Sequence, residues 1–168
     1  MLERIEYDRN AAIAYAQKWA MTRNPEYYSF TNIGGDCTNF ASQCVYAGCG
    51  VMNYTPVYGW YYIDVQNRSP SWTGVEYFFN FMINNVSQGP YAEQTAPDRS
   101  MPGDVLQLGD RNGRFYHSLV VLNNTGREIY IAANENRWID RFIPLAFNAK
   151  RQGKGRDIMI NVARLLDA

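Results

Sequence analysis

The stretch Gly35-Asp36-Cys37-Thr38-Asn39-Phe40-Ala41-Ser42-Gln43-Cys44-Val45-Tyr46-Ala47-Gly48 decides how the chain is read. Cys37, Phe40, Ala41, Cys44, Val45 and Gly48 recur at helical spacing, which predicts a helix over 36–48 with one face turned to a core. Gly48 and Gly50 stop it. The Gly34-Gly35 pair in front of it permits unusual backbone angles where the helix begins. Cys37 then lies in the first helical turn, where backbone N–H groups lack intrahelical partners and the helix dipole favours negative charge. A thiolate is stabilised there and its pKa falls below the usual ~8.5. Cys37 is therefore a candidate nucleophile; the alternative is one more small apolar residue on a buried face. Cys44 lies two turns deeper and Cys49 beside glycines at the helix end, and both read as packing residues.

Outward from this helix the pattern is helical first and extended later. Asp8 caps a helix over 9–20 with Ala12, Tyr15, Ala16 and Trp19 on one face, ended by Asn24-Pro25. Ser71 caps a third helix, carrying Val75, Phe78, Phe79 and Met82, that runs to about Val86. Segment 53–70 has no clean period and reads as an aromatic-rich loop, and the proline-containing 87–102 as a connection. Apolar runs at 104–108, 115–122, 128–133 and 157–165, broken by Gly-Asp, Asn-Gly and Asn-Asn-Thr-Gly turns, predict strands. The expectation is one α+β domain over 1–168, with helices packed on an antiparallel sheet.

Composition excludes several function classes. The 168 residues carry 16 Lys+Arg and 16 Asp+Glu, so no bulk positive charge is available to hold nucleic acid or an anionic membrane. No run approaches the ~18 apolar residues of a membrane span, and the first residues lack the apolar segment of a secretory signal. Three Cys spaced C-x6-C-x4-C with a single His match no zinc-cluster pattern, so no metal is expected, and the odd count leaves at least one thiol free. Aromatics at 15 % suit either a packed core or a cleft for an extended ligand. The basic stretch 150–156 reads as a solvated loop or a contact for anionic polymer.

His117 heads the run His117-Ser118-Leu119-Val120-Val121-Leu122 and is the one imidazole available to act as a base for Cys37. A third group usually orients such a histidine. A turn centred near Thr125 folds 128–133 back on the His117 strand and sets Ala133 and Asn134 opposite His117, so Asn134 is the candidate orienter. Glu135 and Asn136 lie within a register slip of it.

The string 35–44 followed by Ala47-Gly48 resembles the putative amidase domain family, related to NlpC-type, papain-like cysteine peptidases; it is also similar to the shorter Asp-Cys-Ser-Gly signature of NlpC-type enzymes. Tyr7-Asp8-Arg9, Asn24-Pro25, Trp60, Ser71-Trp72-Thr73, Gly103-Asp104-Val105 and His117-Ser118 follow in the family's order, so the resemblance spans about residues 7–145. It implies a papain-like fold and a cysteine amidase or peptidase, with Cys37 as nucleophile and His117 as base and later general acid. It also implies a peptide or peptidoglycan-like substrate such as a cell-wall stem peptide, no cofactor, and an extracellular or wall-associated setting. The family's pattern often has a His in the segment matching 132–136, where this chain has none, and Asn134 takes that place. Asp36 either binds a substrate amine or caps the helix. Trp60, within the aromatic segment 54–72, is the expected substrate contact, with core packing as the alternative. A thiol acyltransferase using the same thioester, and a non-catalytic glycan- or peptide-binding module, are the competing functions.

Overall fold

The computed structural model describes residues 2–134, 138–144 and 159–168. Four helices, α1 (Arg9–Trp19), α2 (Cys37–Cys49), α3 (Pro70–Thr73) and α4 (Val75–Asn84), precede or flank six strands. The strands are β1 (Tyr91–Thr95), β2 (Val105–Gly109), β3 (Phe115–Asn124), β4 (Glu128–Ala133), β5 (Trp138–Pro144) and β6 (Met159–Asp167), and they form one sheet in the order β1-β6-β2-β3-β4-β5. Every recorded pairing between these strands is antiparallel. The α+β expectation with helices on an antiparallel sheet therefore holds.

Strand alternation divides the buried side chains between two faces. Val105, Val120, Leu122, Ala132, Ala163 and Leu165 pack with the helices in the larger core. Their neighbours Leu106, Leu119, Val121, Ile129, Ile131 and Val162 pack together on the opposite face. Ser118 has the parity of Val120 and so faces the helices.

Helix α1 starts where expected, with the Asp8 carboxylate accepting from Ala11 N–H at 2.9 Å. Helix α2 ends at Gly50 in the left-handed conformation, φ +67°. Gly48 in its last turn lies against Tyr7: a Cβ there would come within 2.4 Å of the Tyr7 ring, so only glycine fits. The expected third helix is two helices, because Gly74 adopts an extended conformation (φ −99°, ψ 127°) between α3 and α4, and Ser69 rather than Ser71 precedes the first. Strand β1 lies inside the expected connection 87–102, and β5 occupies 138–144, where no strand was expected. The basic stretch 150–156 lies outside the described residues.

An ion pair between partly exposed Arg9 and buried Asp104 ties the start of α1 to the sheet. Arg9 donates to the Asp104 carboxylate at 2.8 Å, to Pro102 O at 2.8 Å and to Leu165 O. Asp104, without exposed surface, also accepts from Met101 N–H and Leu165 N–H. Burial pushes its carboxyl above the ordinary 3.8, against the pull of the Met101 N–H, Arg9 and Leu165 N–H. A raised carboxyl pKa means that the folded chain holds this proton more tightly than the unfolded one, so this group's contribution to stability falls as pH rises from 3.8 through the folded value. Removing the guanidinium extends that window upward. Arg9→Met is accordingly expected to lose about 3–5 kcal/mol at neutral pH, with the loss shrinking as Asp104 protonates; urea unfolding at neutral and mildly acid pH measures both.

Candidate active site

Helix α2 is the axis of the site. Eleven of its residues, Cys37 through Val45 with Gly48 and Cys49, are buried, so its polar side chains must find partners inside the protein. Each one in the motif does. Asn39 donates to Asp36 Oδ1 at 2.9 Å and to Tyr28 O at 3.1 Å, and its Oδ1 accepts from Trp72 Nε1 at 2.9 Å. Ser42 donates to Trp72 O at 2.9 Å and accepts from Trp60 Nε1 at 3.1 Å. Gln43 Oε1 accepts from Tyr15 O–H at 2.8 Å. The two indoles pack with ring centroids 4.7 Å apart, and Trp72 is flanked by Tyr27, Tyr46 and Tyr62.

Cys37 is the first residue of α2 and is 5 % exposed. His117 is the third residue of β3, pairs with Leu108 of β2, and is 8 % exposed. The residues that follow each of them are bonded to one another: Thr38 Oγ1 and Ser118 Oγ lie 2.9 Å apart, buried. That bond fixes the first turn of α2 against the His117 end of β3. Ser118 Oγ also accepts from Gln107 Nε2 at 3.2 Å, and Thr38 Oγ1 lies 3.8 Å from Cys37 Sγ.

Asp36 precedes Cys37 at the N-cap position but makes no side-chain capping bond. Its carboxylate accepts from Phe30 N–H at 2.9 Å, from Asn39 Nδ2 and from Arg23, and it is 2 % exposed. The capping expectation for Asp36 is thereby corrected: its carboxylate anchors the loop before α2 instead of capping the helix.

Trp60 is also corrected. It has no exposed surface, because its indole packs between Trp72 and Phe81 and bonds to Ser42. The exposed aromatics of the segment are Tyr54 and Tyr58. Tyr58 borders a groove of about 460 Å³ shared with Val57, Tyr77 and Phe81, and neither Cys37 nor His117 lines it.

Asn134 is buried just beyond β4, where its Nδ2 donates to Thr22 O at 3.2 Å in the loop after α1. The register differs from expectation. Thr125 N–H bonds to Glu128 O, so the turn is centred past Gly126, and an irregularity follows between Val121 and Asn123. The recorded ladder sets Ala132 across from Val120, two residues beyond the expected pairing, and Asn134 is not recorded as a partner of His117. Glu135 and Asn136 lie outside the described residues.

Cys44 and Cys49 are buried free thiols. Burial drives the Cys44 thiol well above its ordinary value and Cys49 to about 11, so neither is a thiolate at neutral pH. Among the described residues no three His, Cys, Asp or Glu side chains converge as a metal site, and no helix is long and apolar enough to cross a membrane.

Residues 6–154 match the family model described as "Putative amidase domain". The chain belongs to that family. It is also 35 % identical over 120 residues to "Uncharacterized protein YhbB" of Bacillus subtilis (strain 168), an alignment that takes in 70 % of this chain and 37 % of that protein. The chain thus spans little more than a third of the length of this curated relative. No solved structure matches. Membership in an amidase family indicates a hydrolase.

Thr38, Ser118 and Gln107 were not singled out by residue chemistry, although Thr38 lies in the motif and Ser118 follows the histidine. A structural role for Asp36 predicts that Asp36→Ala orphans the buried Phe30 N–H and costs about 1–3 kcal/mol. That is a drop of several degrees in Tm for a chain of this size; an unchanged Tm with a raised KM would instead return Asp36 to the substrate.

Proposed function

We propose that the protein is a cysteine-dependent amidase that cleaves an amide bond through a thioester, with Cys37 as nucleophile, His117 as base and then acid, and Asn134 as the orienting residue. The observation that carries this reading is the buried Thr38–Ser118 bond, which ties the residue after the cysteine to the residue after the histidine. The amidase family match supports the reaction class.

In this mechanism the Cys37 thiolate attacks the amide carbon, and first-turn N–H groups of α2, which no Asp36 carboxylate caps, stabilise the oxyanion. His117 protonates the departing amine, then draws a proton from the water that cleaves the thioester. Asn134 donates through its Nδ2 to Thr22 O, and its side-chain oxygen is the atom that accepts an imidazole N–H in this mechanism. The substrate class that fits best is a peptide amide, with the stem peptide of bacterial cell wall as the leading candidate from the family resemblance. The competing transferase would pass the same acyl group to an amine instead of water.

Cys37→Ala is expected to abolish release of free amine from a stem-peptide substrate, and His117→Ala to reduce it by at least about 10²–10⁴-fold, both without loss of fold by circular dichroism. Full turnover in either variant contradicts the assignment. Product analysis with an added amine separates hydrolysis from transfer. Of the three thiols, iodoacetamide at neutral pH is expected to label Cys37 first, because burial holds the other two protonated; peptide mass mapping reads the order.

A further inference from the structure

The proton positions around Thr38 follow from what its neighbours are able to donate. Gln107 is fully buried on β2, with Nε2 2.7 Å from Val75 O and 3.2 Å from Ser118 Oγ. A carbonyl oxygen only accepts, so the amide nitrogen must face Val75, although this leaves Gln107 Oε1 buried without a hydrogen bond. The reversed amide would set two oxygens against each other at that distance. Gln107 therefore spends its second N–H on Ser118 Oγ. The Ser118 hydroxyl proton cannot be directed back at a donor, and its other partner is Thr38 Oγ1 at 2.9 Å. Thr38 accepts that proton, and its own O–H has one recorded neighbour left, Cys37 Sγ at 3.8 Å, a separation within the reach of a large sulfur acceptor. Thr38, Ser118 and Gln107 are each at most 1 % exposed, so water does not compete along this chain.

We propose that Thr38 is a positioning residue that donates its hydroxyl proton to the Cys37 thiolate, and that Gln107 and Ser118 set the direction of that bond. The proposal rests on the reading of Cys37 as the nucleophile and adds a specific source of its acidity. A hydrogen bond to the charged form lowers a thiol pKa, and one to a thiolate is stronger than one to a thiol. Among the described residues the charged groups bonded at this end of α2 are Asp36 and Arg23, with Asp36 also held by the Phe30 and Asn39 nitrogens; His117 on β3 is the base of the proposed mechanism. Thr38→Val leaves all of them in place, so the change isolates the hydroxyl.

The experiment is the pH dependence of iodoacetamide alkylation at Cys37, mapped by peptide mass spectrometry, in the wild type, Thr38→Val and Thr38→Ser. The wild type is expected to have its midpoint well below ~8.5. Thr38→Val moves it up by about one pH unit, a tenfold loss of thiol acidity, and Thr38→Ser restores it. If Thr38→Val does not fold, the double variant Thr38→Val/Ser118→Ala removes both hydroxyls, leaves one Gln107 N–H as the sole donor that loses its acceptor, and gives the same readout. A low wild-type midpoint that Thr38→Val leaves in place overturns the role of Thr38 while the nucleophile assignment stands. An ordinary midpoint in the wild type removes the nucleophile assignment itself, and this proposal with it.

Discussion

The contact on which the site depends is a hydrogen bond between two buried hydroxyls, Thr38 on α2 and Ser118 on β3. Its net contribution to stability is modest, about 0.5–1.5 kcal/mol as for other neutral pairs. Its importance lies in where it acts. Hydrophobic burial is non-directional, whereas a hydroxyl pair closed off from water requires a narrow range of separation and angle. The bond therefore turns a loosely specified helix–sheet contact into a fixed placement of the first turn of α2 beside the His117 end of β3.

The rest of the fold serves that placement. Asp36, Arg23 and the Phe30 amide hold the loop entering α2, and Asn39 and Ser42 hold the helix flank through the two indoles. The Arg9–Asp104 pair closes α1 onto the segment leading into β2 and onto β6. Buried polar groups of this number are costly unless every partner is in place. In the proposed mechanism the stretch 35–44 is thus mostly a set of obligations: Cys37 for the chemistry, and neighbours that position it.

The helical parts of this plan were legible in the sequence, because Phe40, Ala41, Cys44 and Val45 repeat at the period of the helix and Asp8 caps α1 as its type dictates. What escaped has physical causes. Gly74 breaks a pattern whose apolar period continues across it, so α3 and α4 read as one helix. Strand β1, Tyr-Ala-Glu-Gln-Thr, is polar on one side and lies between prolines, which is how a loop also looks. Asp36 and Trp60 were read by residue type, the one as an acid before a cysteine and the other as an aromatic in a loop. Residue type does not announce their bonds: Trp60 is held by Ser42, Trp72 and Phe81 on three helices, and Asp36 by Arg23, Phe30 and Asn39 near it in sequence. The Asn134 register failed because the turn at 125–128 is centred one and a half residues beyond the assumed point, and strand pairing carries such an offset along its length.

A single histidine makes the central claim directly measurable. In an isotope-labelled sample the only imidazole signal is that of His117, so its titration can be followed by NMR in the wild type and in Cys37→Ala. If the two form a thiolate–imidazolium pair, the neighbouring negative charge holds His117 protonated above the ordinary ~6.5, and removing the sulfur brings it down. Identical titrations in the two proteins would mean that Cys37 and His117 do not interact, and would contradict the account.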